Sequence, residues 1–157
     1  RKNCYTKEII KTSLQQATLL KLNDGEAHEL ESLFDYKIHS CKEFCTHMVT
    51  TWNLHACILT MGEKGAFAAN AQGAYAYDPG YLIDLKDSCG AGDAFTAGFL
   101  LQWLAESSLD TCVKFGNALG ALVATQEGAT TPIAKEEVEQ FMAQPRERKR
   151  DPEFIGM

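Results

Sequence analysis

The sequence predicts an α/β fold built around a largely parallel sheet. Three observations carry this. Short apolar runs at residues 17–22 and 56–61 alternate with longer stretches of helical periodicity. Glycines or polar turn residues follow each run. A glycine-rich loop opens the apolar, proline-free stretch 91–105. At 157 residues the chain is long enough for one domain of ordinary size with its own core.

In chain order, Thr6 is placed to cap a helix running to residue 16, with Ile9, Ile10 and Leu14 on its inner side. Residues 17–22 read as a strand. Asp24 then caps a helix over 25–34 that turns Leu30, Leu33 and Phe34 inward. Ser40 starts a third helix, ending near Trp52. Residues 56–61 form a buried strand bounded by Gly62 and Gly65. Residues 66–69 and 74–77 make a hairpin around Gln72-Gly73, and Asp78-Pro79-Gly80 is a turn. Residues 81–85 are strand-like. After them come a buried helix at 91–105, a helix at 110–126 and a last helix at 133–142. In open α/β sheets ligands bind where strands end, so the glycine loops are expected to converge on one crevice.

Composition excludes several classes. The net charge of −6 argues against general nucleic-acid binding, which needs a basic surface. The one basic cluster, residues 146–150, reads as a solvated tail. No apolar stretch is long enough to span a membrane, and the start shows no signal-peptide pattern. Of six cysteines (4, 41, 45, 57, 89 and 112), none forms a C-x-x-C pair. Cys41 and Cys45 can share a helix face but lack a second pair for zinc. Reduced thiols in a cytoplasmic protein fit this usage better.

The run Asp87-Ser88-Cys89-Gly90-Ala91-Gly92-Asp93-Ala94-Phe95 is the richest in chemistry. Gly90, Ala91 and Gly92 let backbone come close to a ligand. Backbone N–H groups at a helix start point outward and, with the helix dipole, favour an anion. Asp93 is an anion placed where anions are welcome. It is therefore either a base beside developing negative charge or an ordinary dipole-compensating residue.

This run resembles the signature of the ribokinase-like (PfkB-type) carbohydrate kinases, D-T-x-G-A-G-D-x-F. Leu20-Lys21-Leu22-Asn23-Asp24-Gly25-Glu26 resembles the family's N-x-x-E segment. Leu59-Thr60-Met61-Gly62-Glu63-Lys64-Gly65-Ala66 resembles its T-x-G-x-x-G-A strand-turn. Gly128-Ala129 with Pro132 resembles the late loop before the last helix. The opening, residues 2–8, is most similar to the fructokinase-type branch. The resemblance implies a Rossmann-type layered sheet with helices on both faces. It also implies that the chain is a C-terminal half, with the N-terminal half and its lid absent. Residues 1–145 would be the ATP-binding and catalytic half, and 146–157 a charged tail.

The activity so implied is phosphoryl transfer from ATP to a sugar hydroxyl, fructose or a related sugar. A nucleoside kinase of the same fold and a non-catalytic nucleotide-binding or partner-packing module are the alternatives. Asp93 would be the base, and Gly90, Ala91 and Gly92 the donors to the moving phosphoryl group. Asn23, Glu26, Thr60, Met61, Gly62, Gly65 and Asn117 would bind nucleotide, with Glu26 holding Mg²⁺ through water. From the residues alone, Asn23 ends a strand, Glu26 is a first-turn helix residue, and Gly62 and Gly65 serve a turn. Asn117, mid-helix, corresponds to a position near adenine, or else faces solvent or assists packing. A monovalent cation, K⁺, would be held by Asp87 and by carbonyls at Cys89, Val123, Gln126 and Gly128. Cys89 is alternatively a redox-sensitive thiol or a small buried residue. The expected partners are sugar, ATP, the N-terminal half and a second copy of the chain, with neither nucleic acid nor membrane.

Overall fold

The computed structural model of the chain describes residues 5–128 and 132–156. Cys4, the first residues of the fructokinase-like opening (2–4) and Ala129 of the late loop lie outside them. The chain divides into two compact units. The first takes in the described residues up to Thr60 together with Phe67–Tyr75. The second takes in Met61–Ala66 and the described residues from Ala76 onward.

In the first unit, helix α1 (Lys7–Gln16) is capped as expected: the Thr6 hydroxyl oxygen accepts from the Ile9 N–H. Leu14 is buried, but Ile9 is 55% exposed rather than inward. Strands β1 (Leu19–Asn23) and β2 (Ala56–Thr60) pair in parallel from Leu19↔Ala56 to Asn23↔Thr60. A parallel pair needs a crossover, and helices α2 (Asp24–Phe34) and α3 (Cys41–Trp52) supply it. Ser40 caps α3. The cap of α2 is Asn23, not Asp24; the helix starts one residue earlier than its spacing suggested. α3 packs Phe44, Cys45, Met48 and Val49 inward, and Ala56, Cys57, Ile58 and Leu59 of β2 are all buried. A run apolar at every position is the mark of a strand covered on both faces.

Strands β3 (Ala66–Asn70) and β4 (Tyr75–Asp78) form the expected hairpin, and the four-stranded sheet has the order β1-β2-β3-β4. The Asn70 side-chain oxygen accepts from the Gln72 and Ala74 N–H groups and so shapes the turn.

In the second unit, β5 (Gly80–Tyr81) pairs antiparallel with β6 (Arg148–Lys149). Three expectations are corrected here. Asp78-Pro79-Gly80 is not a reverse turn; it joins β4 to β5, and Asp78 is buried. Of the expected strand at 81–85 only Tyr81 is in a strand; Leu82 and Leu85 are exposed in irregular backbone. Residues 146–150 are mostly exposed, as a solvated run would be, but they are not a loose tail. β6 is paired, and the Phe154 that follows is 1% exposed against Tyr77. A run of charges reads as solvated unless partners distant in sequence are known.

Helix α4 (Ala91–Leu104) packs against α5 (Leu109–Ala124) at close range. A Cβ on Gly116 would stand 2.8 Å from the Phe95 carbonyl oxygen. α4 buries Phe95, Gly98 and Phe99 only. Leu101 and Leu104 are exposed, so the helix is covered on one side rather than throughout. α6 (Lys135–Ala143) contributes Val138 and Phe141 to a core with Tyr81, Phe115 and Ala118. No helix among the described residues is long and apolar enough to cross a membrane.

Candidate active site

In the first unit the structure brings Asn23, Glu26 and Thr60 together at the C-terminal ends of β1 and β2, where Asn23 and Thr60 are register partners. Asn23 and Glu26 form a reciprocal cap. The Asn23 Oδ1 accepts from the Glu26 N–H and the Glu26 Oε2 accepts from the Asn23 N–H, both at 2.8 Å. Both side chains are exposed, so Glu26 presents its carboxylate to solvent while one oxygen serves the cap. The Thr60 hydroxyl does not project as a free donor; it donates to the Leu22 carbonyl at 3.2 Å.

In the second unit the 87–93 loop is organised by its own polar atoms. Asp87 Oδ1 accepts from the Cys89 N–H at 2.9 Å, and the Ala91 N–H donates to the Ser88 carbonyl at 3.2 Å. Gly90 sits in the left-handed region, φ 80°, where a Cβ is disfavoured. The first helical bond runs from the Ala94 N–H to the Gly90 carbonyl, 2.8 Å. The N–H groups of Gly92 and Asp93 therefore have no acceptor within the helix. The base of the loop is tied to α5: the Lys86 and Asp87 N–H groups donate to the Ala124 carbonyl.

This refines the expected donor set. Ala91 is engaged internally, whereas Asp93 supplies a backbone donor as well as an exposed carboxylate. Sequence reading missed that second role because it turns on which residue is the first in the helix.

The 61–65 turn closes on itself. The Met61 N–H donates to the Gly65 carbonyl at 2.8 Å, and the Gly65 N–H to the Gly62 carbonyl at 3.1 Å. Met61 is buried and belongs to the core. The two glycines differ. Around Gly62, φ 54°, nothing lies within 4 Å of a would-be Cβ, while on Gly65 a Cβ would stand 1.9 Å from the Asp78 carbonyl oxygen. Gly65 is thus required by packing against the chain itself.

Asn117 faces neither solvent nor an open surface. It is 8% exposed, and its amide donates to the Asp78 carboxylate at 2.6 Å and to the Pro79 carbonyl at 2.8 Å. Asp78 also pairs with Arg148. Burial pushes its carboxyl above the usual range, against the opposing pull of Asn117 and Arg148. The sequence signal for Asp78 was read as a turn, because its partner lies 70 residues away.

Among the described residues no group of three or more His, Cys, Asp or Glu is placed to hold a metal. Mg²⁺ bound beside nucleotide phosphates takes one or two carboxylates and keeps several waters, so the single exposed Glu26 fits such a role. The residues named for K⁺ are placed as follows. Asp87 accepts from Cys89, the Val123 carbonyl accepts from the Gln126 N–H at 2.9 Å, and Gly128 is an exposed left-handed residue.

The model of the pfkB family carbohydrate kinase matches residues 2–136. The chain belongs to this family. Against an ATP-dependent ribose-1-phosphate kinase of Halopiger xanaduensis it is 37% identical over 83 residues, 53% of this chain and 28% of that protein. Against a nucleoside kinase of Methanothermobacter thermautotrophicus it is 38% identical over 147 residues, 89% of this chain and 43% of that protein. It superposes on a fructokinase of Vibrio cholerae solved with fructose, ADP and calcium ion. There the TM-score is 0.70 and the identity 25%, over 87% of this chain and 44% of that one. The chain thus spans less than half the length of these pfkB kinases, and its fold is the ribokinase-type arrangement they share.

Proposed function

We propose that this chain is the ATP-binding and catalytic portion of a kinase that phosphorylates a hydroxyl of a sugar or nucleoside. The observation that carries the proposal is the start of α4, where the exposed Asp93 carboxylate stands beside N–H groups of Gly92 and Asp93 that lack helical acceptors. A proton acceptor and anion-stabilising donors on one helical turn suit an alcohol attacking a phosphoryl group.

In that reaction the acceptor oxygen bonds to the γ-phosphorus of ATP and its proton passes to Asp93. The bond to the bridging oxygen breaks, and ADP leaves. The two N–H groups, aided by the helix dipole, stabilise charge on the transferred group. Gly62, with open space around it, admits backbone close to the nucleotide phosphates. Mg²⁺, when bound, neutralises phosphate charge, and Glu26 would hold it through water. Asn117 acts on the nucleotide only through the Asp78 cluster that its amide serves.

The acceptor is either a free sugar, fructose or a related one, or the ribose of a nucleoside. The fructokinase-like opening favours the first, and the 38% identity to a nucleoside kinase over most of the chain favours the second. Because the chain spans less than half of its relatives, we assign most acceptor contacts to polypeptide beyond it.

Calorimetric titration of the 157-residue chain with Mg-ATP is expected to show saturable binding without efficient turnover. In a protein completed by such a further segment, Asp93→Asn is expected to lower kcat on the order of a hundredfold or more with ATP affinity little changed. A kcat within a few-fold of wild type would remove Asp93 from the mechanism. Full ATP affinity with no turnover on any sugar or nucleoside, even in the completed protein, would leave a nucleotide-binding module in place of a kinase.

A further inference from the structure

We propose that the C-terminal segment from Arg148 to Phe154 is a strap that positions the 61–65 turn for the nucleotide. This rests on the assignment of that turn to ATP. The segment reaches the turn through three ties. Lys149 is ion-paired with Glu63. Asp151 is ion-paired with Lys64 at 3.1 Å. The Tyr77 hydroxyl accepts from the Asp151 N–H at 2.7 Å and donates to the Lys64 carbonyl at 2.8 Å, bridging strap and turn in one relay.

The far side of the turn is fixed by backbone contact. A Cβ on Gly80 would stand 1.8 Å from the Glu63 carbonyl oxygen, and one on Gly65 1.9 Å from the Asp78 carbonyl oxygen. The same strap holds this backing. Arg148 bonds the Asp78 carboxylate and, through Nε, the Pro79 carbonyl at 3.1 Å. Its guanidinium lies over the Tyr81 ring, 3.7 Å from the centroid. The β5–β6 ladder sets Lys149 opposite Gly80 and Arg148 opposite Tyr81. Residues 148–151 thus grip both the turn and the backbone it leans on. Holding a phosphate-binding turn in one conformation before the ligand arrives reduces the ordering cost of binding. Arg148, Lys149 and Asp151 are positioning residues; none needs to touch ATP.

The test uses the full chain and two variants. Arg148→Met removes the guanidinium from the backing. The double variant Lys149→Gln with Asp151→Asn cuts both strap–turn ion pairs with near-isosteric side chains and leaves the Asp78–Arg148 pair intact, so it is the variant read if Arg148→Met does not fold. Hydrogen exchange is read at the amides of 61–65 and of 94–104, without nucleotide and in every folded variant. The turn amides are expected to exchange on the order of tenfold faster, with α4 unchanged. The Mg-ATP dissociation constant is expected to rise by a similar factor and to recover in part in Arg148→Lys, which keeps the charge. Unchanged exchange at 61–65 in a folded variant overturns the strap. Faster exchange with unchanged ATP affinity overturns its role at the nucleotide. If wild type binds no Mg-ATP, the kinase reading fails and the nucleotide role with it, while the exchange result alone decides whether the strap holds the turn.

Discussion

Asp78 carries a testable consequence at the level of a single residue. Its carboxyl is raised by burial, with Asn117 and Arg148 pulling the other way and burial prevailing. The folded chain therefore holds this proton more tightly than the unfolded chain. Its contribution to stability is present below the ordinary carboxylate range and is lost as pH rises through the raised value. Thermal melts taken from below the ordinary carboxylate range upward are expected to show a decline as pH passes through the raised value, and Asp78→Asn to remove it relative to wild type. An identical pH profile in the two proteins would mean that Asp78 is not the group responsible. Asp93 is the opposite case, exposed and on a helix turn named by its motif. Its place was legible because the signature is local. Asp78 and Arg148 were not, because a buried charge is recognised only through a partner 70 residues away.

Local spacing was enough for most helices and caps. Thr6 and Ser40 cap α1 and α3 as their positions imply. The N-x-x-E segment proved to be a capping box, which accounts for its spacing without a ligand: Asn23 and Glu26 face each other across the first turn of α2. The strand expected at 81–85 failed because its run of apolar residues reads as a strand while the strand it pairs with among the described residues, β6, is two residues long and reaches only Gly80 and Tyr81. Gly90 tests the loop–helix element. At φ 80° an alanine costs about 1–2 kcal/mol, so Gly90→Ala is expected to lower the melting temperature measurably and to weaken Mg-ATP binding. Gly65→Ala is expected to cost more, because its Cβ would meet backbone rather than a movable side chain. Equal melting temperatures for Gly65→Ala and wild type would contradict the close packing of the turn.

At the scale of the whole molecule, the leucines at 82, 85, 101 and 104 are exposed, Leu104 at 79%. Apolar side chains in that number invite association. The 157-residue chain is expected to self-associate in light scattering, and Leu101→Lys with Leu104→Lys to shift it toward monomer. A monodisperse wild-type monomer would show that these leucines need no cover. The family was legible because four motifs occur in order over most of the chain. The acceptor was not, because the chain spans 28% and 43% of the two curated kinases compared above, and the three relatives named there differ in the acceptor their names give: ribose 1-phosphate, a nucleoside and fructose. The central claim is that the α4 start and the 61–65 turn form an ATP-handling half. Calorimetric titration of the intact chain with Mg-ATP tests it most directly. One-site saturable binding that survives Asp93→Asn and weakens in Gly90→Ala is the expected result. No heat of binding from a folded wild-type chain at millimolar Mg-ATP would contradict it.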